Sequence, residues 1–263
     1  MLSLRKVIFG IVGLVVSSTW AMAQNEQRPA AVSNAGVTRT IAVMPMIGRD
    51  IDVVTYRGST GSNVKTHHQR VPLTDSVFDD AAVLAAKGAL EAANKGNTAL
   101  MLKPSQVIYE TQAGLASNQL LNLPPDLETV LKAQNATHLL LIVKARHDAA
   151  FQLTNKQVGD GWLEGLGYYV DHDLSLINTE TKNTSKGFLG SYAYFKLVIA
   201  DLSSGNVLKE VVVKKTVVNI AGDKAQEIHP WNALSSREKV DILVRLIQAG
   251  VQEAVNAITL PNR

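Results

Sequence analysis

The chain is 263 residues long, with no cysteine, 26 basic against 23 acidic side chains, and 46% apolar but only 19% charged residues. That length supports one globular domain, and the even mixture excludes a disordered, collagen-like or coiled-coil chain. The lack of cysteine excludes disulfides, thiol nucleophiles, cysteine-held metals and lipidation at an amino-terminal cysteine.

Arg5 and Lys6 precede ten apolar or glycine positions, 7–16, and then Ala21-Met22-Ala23. A basic start, a short apolar core and a small-residue exit predict a secretory signal peptide over residues 1–23, cleaved after Ala23. Ten residues of helix cover about 15 Å, half of a hydrocarbon core, so a permanent anchor is the weaker reading. Cleavage removes two bases and no acid, leaving 24 basic and 23 acidic groups. With no stripe of lysine and arginine, a nucleic-acid partner has no electrostatic support. The expected location is periplasmic, with secretion beyond the envelope left open.

Residues 24–38 are polar and small and read as a flexible leader, so the fold is expected over residues 39–263. Thr40-Ile41-Ala42-Val43-Met44, stopped by Pro45, predicts a strand covered on both faces. Residues 48–73 are an excursion, polar and β-leaning around Gly58-Ser59-Thr60-Gly61, which suits a hairpin or a long ordered loop. Ser76 and Asp79 give a capping signal for a helix whose face carries Val77, Ala81, Leu84, Ala85 and Ala89, ending at residues 94–97. A short strand follows at 98–102, and a further one is suggested at 106–109. Pro124-Pro125-Asp126 opens a second helix with Leu127, Val130 and Leu131 on one face. Residues 138–143 are again a strand too apolar to be wet on either side.

Residues 152–190, rich in glycine, form a second excursion with one β-like segment at 168–177. Two strands, 192–201 and 207–218, join through Ser203-Ser204-Gly205-Asn206 as a long hairpin. Ser235 and Glu238 make a capping box for a final helix with Val240, Leu243, Val244, Ile247, Val251, Ala254, Val255 and Ile258 on one stripe. The order predicts a single α/β or α+β domain: a mixed β-sheet with about three helices and a long β-hairpin before a carboxyl-terminal amphipathic helix.

Three separated pieces carry a resemblance. Ile41-Ala42-Val43-Met44-Pro45-Met46, Ala136-Thr137-His138-Leu139-Leu140-Leu141-Ile142-Val143 and Leu197-Val198-Ile199-Ala200-Asp201-Leu202-Ser203-Ser204-Gly205-Asn206-Val207-Leu208 resemble landmarks of the periplasmic envelope domains of the TolB amino-terminal and curli-secretion lipoprotein type. The resemblance, diffuse over about half the chain, implies an adaptor fold without a catalytic centre that contacts envelope proteins or peptidoglycan machinery. Many such relatives are lipoproteins, whereas this chain has no cysteine to lipidate, and the two excursions are not part of their core.

The candidate chemistry is sparse. The glycines at 159, 161, 165 and 167 miss the one-three-six spacing of a dinucleotide loop and lead into a strand instead of a helix. Asp171-His172-Asp173 on a strand divides its ligands between two faces. A metal site from Asp171 and Asp173 with His67, His68 or His147 is one reading, and a solvated polar face is the other. His138 and His229-Pro230-Trp231 read as structural. Trp162, Leu166, Tyr168 and Tyr169 concentrate aromatic and apolar side chains on a glycine-rich backbone and are either a partner-binding surface or a lid folded over the core.

No catalytic residue and no cofactor is assigned. The expectation is an exported periplasmic protein, a non-catalytic binding or adaptor module of the bacterial envelope whose partner is an envelope or peptidoglycan-associated protein. The alternative is an exported hydrolase, possibly metal-dependent, and a third reading has the excursions acting as membrane-associated hairpins.

Overall fold

A computed structural model describes residues 38–60, 63–177, 184–220 and 229–258. The expected signal peptide and all but the last residue of the leader lie outside the described residues. Strand β1 (Arg39–Met46) runs parallel to both its neighbours, β4 (Asn97–Met101) and β7 (His138–Lys144). Ile41, Ala42, Val43, Met44 and Met46 are all buried, which is why the segment reads as an unbroken apolar run. Helix α1 (Val77–Ala93) makes the crossover from β1 to β4, and helix α3 (Pro125–Ala133) lies between β4 and β7. The excursion at 48–73 is a hairpin of β2 (Asp50–Thr60) and β3 (Asn63–Pro72).

The sheet is organised by its longest hairpin, β12 (Thr184–Asp201) with β13 (Val207–Asn219). Because β13 occupies one edge of β12, all other strands must share the opposite edge. Residues 184–194 of that edge pair with β11 (Trp162–Ile177), which continues to β2 and β3. Residues 195–201 pair with β7, which continues to β1 and β4. The sheet therefore forks at Tyr194 and Phe195, and two half-sheets hang on one strand.

Helix α4 (Ser236–Ala257) and α1 cover one face, burying Leu243, Ile247, Val251, Ala254 and Val255 against Phe195, Leu197 and Val213. The capping box is formed: the Ser235 hydroxyl accepts from the Glu238 amide at 3.3 Å, and the Glu238 carboxylate accepts from the Ser235 amide at 2.8 Å. On the other face, each half-sheet has its own cover. Helix α2 (Gln106–Glu110), the small hairpin β5 (Ala116–Ser117) and β6 (Leu120–Leu121), and α3 lie over β1 and β7. β8 (Arg146–Asp148) pairs with the start of β11, and from it the chain passes over β11 and β12, where β9 (Phe151–Gln152) and β10 (Gln157–Val158) bring Phe151 onto Tyr169 and Phe188.

The mixed α+β architecture and its closing helix agree with expectation, and several details differ. The strand suggested at 106–109 is helix α2, because Ser105 after Pro104 is an N-cap whose hydroxyl accepts from the Ile108 amide. The α1 stripe is partly rotated: Ala81 and Ala89 are buried as expected, but Phe78, Ala82, Ala86 and Leu90 are buried with them while Val77 and Leu84 face outward. The described residues of 152–190 are mostly regular structure, since β11 begins at Trp162 and β12 at Thr184.

Glycine in β11 marks close approach. A Cβ on Gly167 would lie 1.9 Å from the Asp52 carbonyl oxygen and 2.6 Å from the Tyr192 hydroxyl. Neither the paired backbone of β2 nor a buried tyrosine can yield that much. Gly167→Ala is expected to destabilise the protein by about 3 kcal/mol or more in urea unfolding. A loss below about 1 kcal/mol would show that β2 and β11 are not this close.

Candidate functional site

In open α/β sheets, ligands sit outside the carboxyl ends of parallel strands. Here the carboxyl ends of β1 and β7 lie at the fork, where a cleft of about 480 Å³ opens between the two covers. Its floor is Leu141, Val143 and Val198, and its walls carry Asp50, Arg70, Tyr109, Glu164, Lys144 and Lys196. A second cavity of about 510 Å³ lies at the opposite, amino ends of β1 and β7, where leucines from the α3 side and the β12–β13 turn share the lining with polar groups such as Glu128, Lys132, His138 and Asp201.

Each wall residue of the fork is fixed by a short contact. Lys144, the first charge after the apolar run of β7, donates from Nζ to Asp50 Oδ2 at 2.7 Å, and its amide donates to Gln112 Oε1 at 3.1 Å. Gly165, at φ +70°, leaves room for that lysine's stem, since a Cβ there would lie 3.0 Å from Lys144 Cδ. The Tyr109 hydroxyl accepts from the Arg49 amide at 2.7 Å, and the Arg49 guanidinium lies 5.1 Å from the Tyr109 ring centre. Burial, followed by the nearby Asp79 charge, pushes the Tyr109 phenol well above its ordinary range, so it remains protonated. Glu164 takes Arg70 at 3.3 Å, and Lys196 takes Glu210 at 2.9 Å.

The turn that carries β1 into β2 is held from below. Asp79 Oδ1 accepts from the amides of Ile47 and Gly48 at 3.0 and 2.9 Å, so this residue ties α1 to the fork instead of capping its own helix with Ser76. Ser76 donates to Asp80. Burial raises the Asp79 pKa above the usual carboxylate value, outweighing those two hydrogen bonds.

Beside the cleft, His68 and Asp52 meet at 2.7 Å between Nδ1 and Oδ2. The His68 ring stacks on Trp162 with 4.0 Å between centres, and the Arg146 guanidinium lies 3.7 Å from the same indole centre. Two groups so near one ring centre must occupy its opposite faces. Trp162 is thus clamped between β3 and β8, joining the hairpin's outer strand to the cover. Asp52 Oδ1 and His68 Nε2 are buried and make no hydrogen bond among the described residues.

Three of the four residues read as a surface are corrected by burial. Leu166 and Tyr168 lie in the core on the helix-covered face, with Tyr168 edge-on to Trp231 at 5.4 Å, and Tyr169 lies in the aromatic core with Phe151 and Phe188. β11 is central in the sheet, so the segment's apolar residues are packed inward on both faces. Trp162 alone is partly exposed. Asp171 is buried, and its Oδ1 accepts from the amides of Asp173 and Leu174, forming a backbone kink. His172 meets His229, not a carboxylate cluster, at 4.7 Å. Among the described residues, no three His, Asp or Glu side chains gather as a metal site, so Asp171, Asp173, His67 and His68 are not brought together. Tyr109, Lys144, Asp50 and Gln112 are the residues the sequence reading missed. The one local signal was Lys144, closing an apolar strand at its carboxyl end.

No family model and no curated protein matches the chain. Solved structures with a related arrangement include a putative neuraminyllactose-binding hemagglutinin homologue from Helicobacter pylori, at 10% identity and TM-score 0.39, covering 83% of each chain. Another is the PelC dodecamer from Paraburkholderia phytofirmans, at 10% identity and TM-score 0.31, covering 83% of this chain and 87% of that one. A third is a lipoprotein from Neisseria meningitidis, at 13% identity and TM-score 0.27, covering 83% and 99%. These likenesses are too distant to transfer any property. Among the described residues, no helix is long and apolar enough to cross a membrane.

The two polar pairs flanking β2 should differ in weight. The Asp52 side chain is 3% exposed, whereas Arg70 is 58% exposed. Asp52→Ala, which strips a buried polar partner, is expected to cost about 3 kcal/mol, and Arg70→Ala less than about 1 kcal/mol, in chemical unfolding. Equal losses would contradict the buried placement of Asp52. Asp79 supplies a pH test. Because its folded-state pKa is raised, the native state keeps its proton longer, so its contribution is present below the unfolded value and lost as pH rises through the folded one. Asp79→Asn, whose amide oxygen can still accept both bonds, should gain stability relative to the parent as pH rises from the acid range toward neutrality. A difference that stays constant with pH would refute the raised value.

Proposed function

We propose that this chain is an exported, non-catalytic binding module of the bacterial cell envelope, and that the fork cleft is where it takes hold of its partner. The observation that carries this reading is the pairing of charge in the cleft. Asp50 is held by Lys144, and Glu164 by Arg70, at its walls. A carboxylate already bonded to a cation is a poor proton acceptor, whereas a row of alternating charges over an apolar floor suits recognition. The signal-like start supports export, and the resemblance of three sequence pieces to TolB-type and curli-secretion domains supports the envelope setting.

The partner fitting such a cleft is an extended segment carrying both signs of charge, from an envelope protein or a peptidoglycan-associated one. Its charged groups would compete for Arg70, Glu164 and Lys196, and its apolar groups would lie against Ala113 and Ala116. The pairs are formed in the free protein, so binding exchanges one ionic partner for another and is expected to weaken with salt.

Photocrosslinkers placed at Ala113 and Ala116, in the cleft wall, test this in intact cells, with Leu84 on the outward face of α1 as control. A product formed from the cleft positions, absent from the control and lost with Arg70→Glu or Glu164→Lys, is expected. Identical products from all three positions, or products unaffected by either reversal, would remove the cleft from consideration.

A further inference from the structure

We infer that the outer edge of β13 receives a second copy of this chain, strand against strand in antiparallel pairing, so that two sheets become one. Among the described residues β12 is the sole strand partner of β13, and this thirteen-residue strand contains no proline. The Val207 amide donates outward to the Gln119 carbonyl at 2.8 Å, and beyond it no described strand pairs with the edge, although β9 packs near β13. Val212 and Val217 are exposed, at 45% and 39%. A long, β-branched edge of this kind is a template for strand addition unless something blunts it.

Lysine is the usual blunting device, and β13 has three. Two are withdrawn from the edge: Lys209 donates to the Ala257 carbonyl and Lys215 to the Glu253 carboxylate, both on α4. Only Lys214, on the opposite face, remains in the open, together with Glu210, whose described ionic partner is Lys196 of its own sheet.

Those two residues select the partner and the register. Paired residues in an antiparallel ladder point to the same side, so a twofold axis at Val212 sets Glu210 of each copy against Lys214 of the other. The contact is made twice, because a twofold interface is self-complementary. Parallel pairing in register, or a twofold axis at Lys214, would oppose Lys214 to itself. In the favoured register Lys209 faces Lys215 across the axis, but both ammonium groups are already drawn onto α4. The ladder then runs from Leu208 to Thr216, and Val212 packs against its own counterpart.

Sedimentation velocity on the purified chain between about 1 and 100 µM tests the inference. The expected result is a monomer–dimer equilibrium in which Glu210→Lys and Lys214→Glu each raise the dimer Kd about tenfold or more. The double reversal, which restores opposite charges across the axis, should return the Kd to within about threefold of the parent. Both side chains are exposed, and a thermal melt of each variant separates loss of association from loss of folding. A chain that stays monomeric over the whole range, an open-ended polymer, or a dimer indifferent to either reversal would overturn the inference.

Discussion

The architecture depends on one constraint: a strand has two edges, and from Leu189 to Ala200 β12 gives one of them to β13. Everything else must divide the remaining edge, which forces the break at Tyr194 and Phe195 between the half-sheet reached through β11 and the half-sheet reached through β7. β12 can serve both halves because nearly every residue from Phe188 to Asp201 is buried, with α1 and α4 on one side and two separate covers on the other. The cleft is the gap these covers leave at the break.

That geometry explains the concentration of polar interactions around β2 and the ends of β1 and β7. Two chain segments step from one half-sheet to the other there: β1 into β2 through Ile47–Arg49, and β7 into β8 through Ala145. At such steps the backbone leaves its ladder, and its groups need other partners. Asp79, Gln112 and Tyr109 supply them, accepting from the amides of Ile47 and Gly48, of Lys144, and of Arg49. The same side chains that satisfy the backbone therefore line or support the cleft, so stability and binding are linked at this place.

Local periodicity made much of the framework legible in the sequence. The run from Ile41 to Met44, the capping box of Ser235 and Glu238, and the hairpin around Ser203–Asn206 each announce themselves within a few residues. The early parts of β11 and β12 did not, because their glycines answer to distant atoms: Gly167 to the Asp52 carbonyl and Gly190 to the Phe151 ring. Read alone, those glycines look like loop. Exposure at Tyr168 and Tyr169 was misjudged for the same reason, since the covers that bury them come from Trp231 and Phe151. The cleft was least legible of all: Asp50, Tyr109, Lys144 and Glu164 share no spacing, and only the fork brings them together.

Native-state hydrogen exchange on β12 tests the shared strand most directly. If β12 welds the two halves into one cooperative unit, the amides of 188–194, those of 195–200, and the central amides of β7 and β11 should open with the same, highest free energy. If residues 188–194 and β11 instead open at a distinctly lower free energy while 195–200 and β7 stay protected, the halves are independent and the fork is a boundary, not a joint.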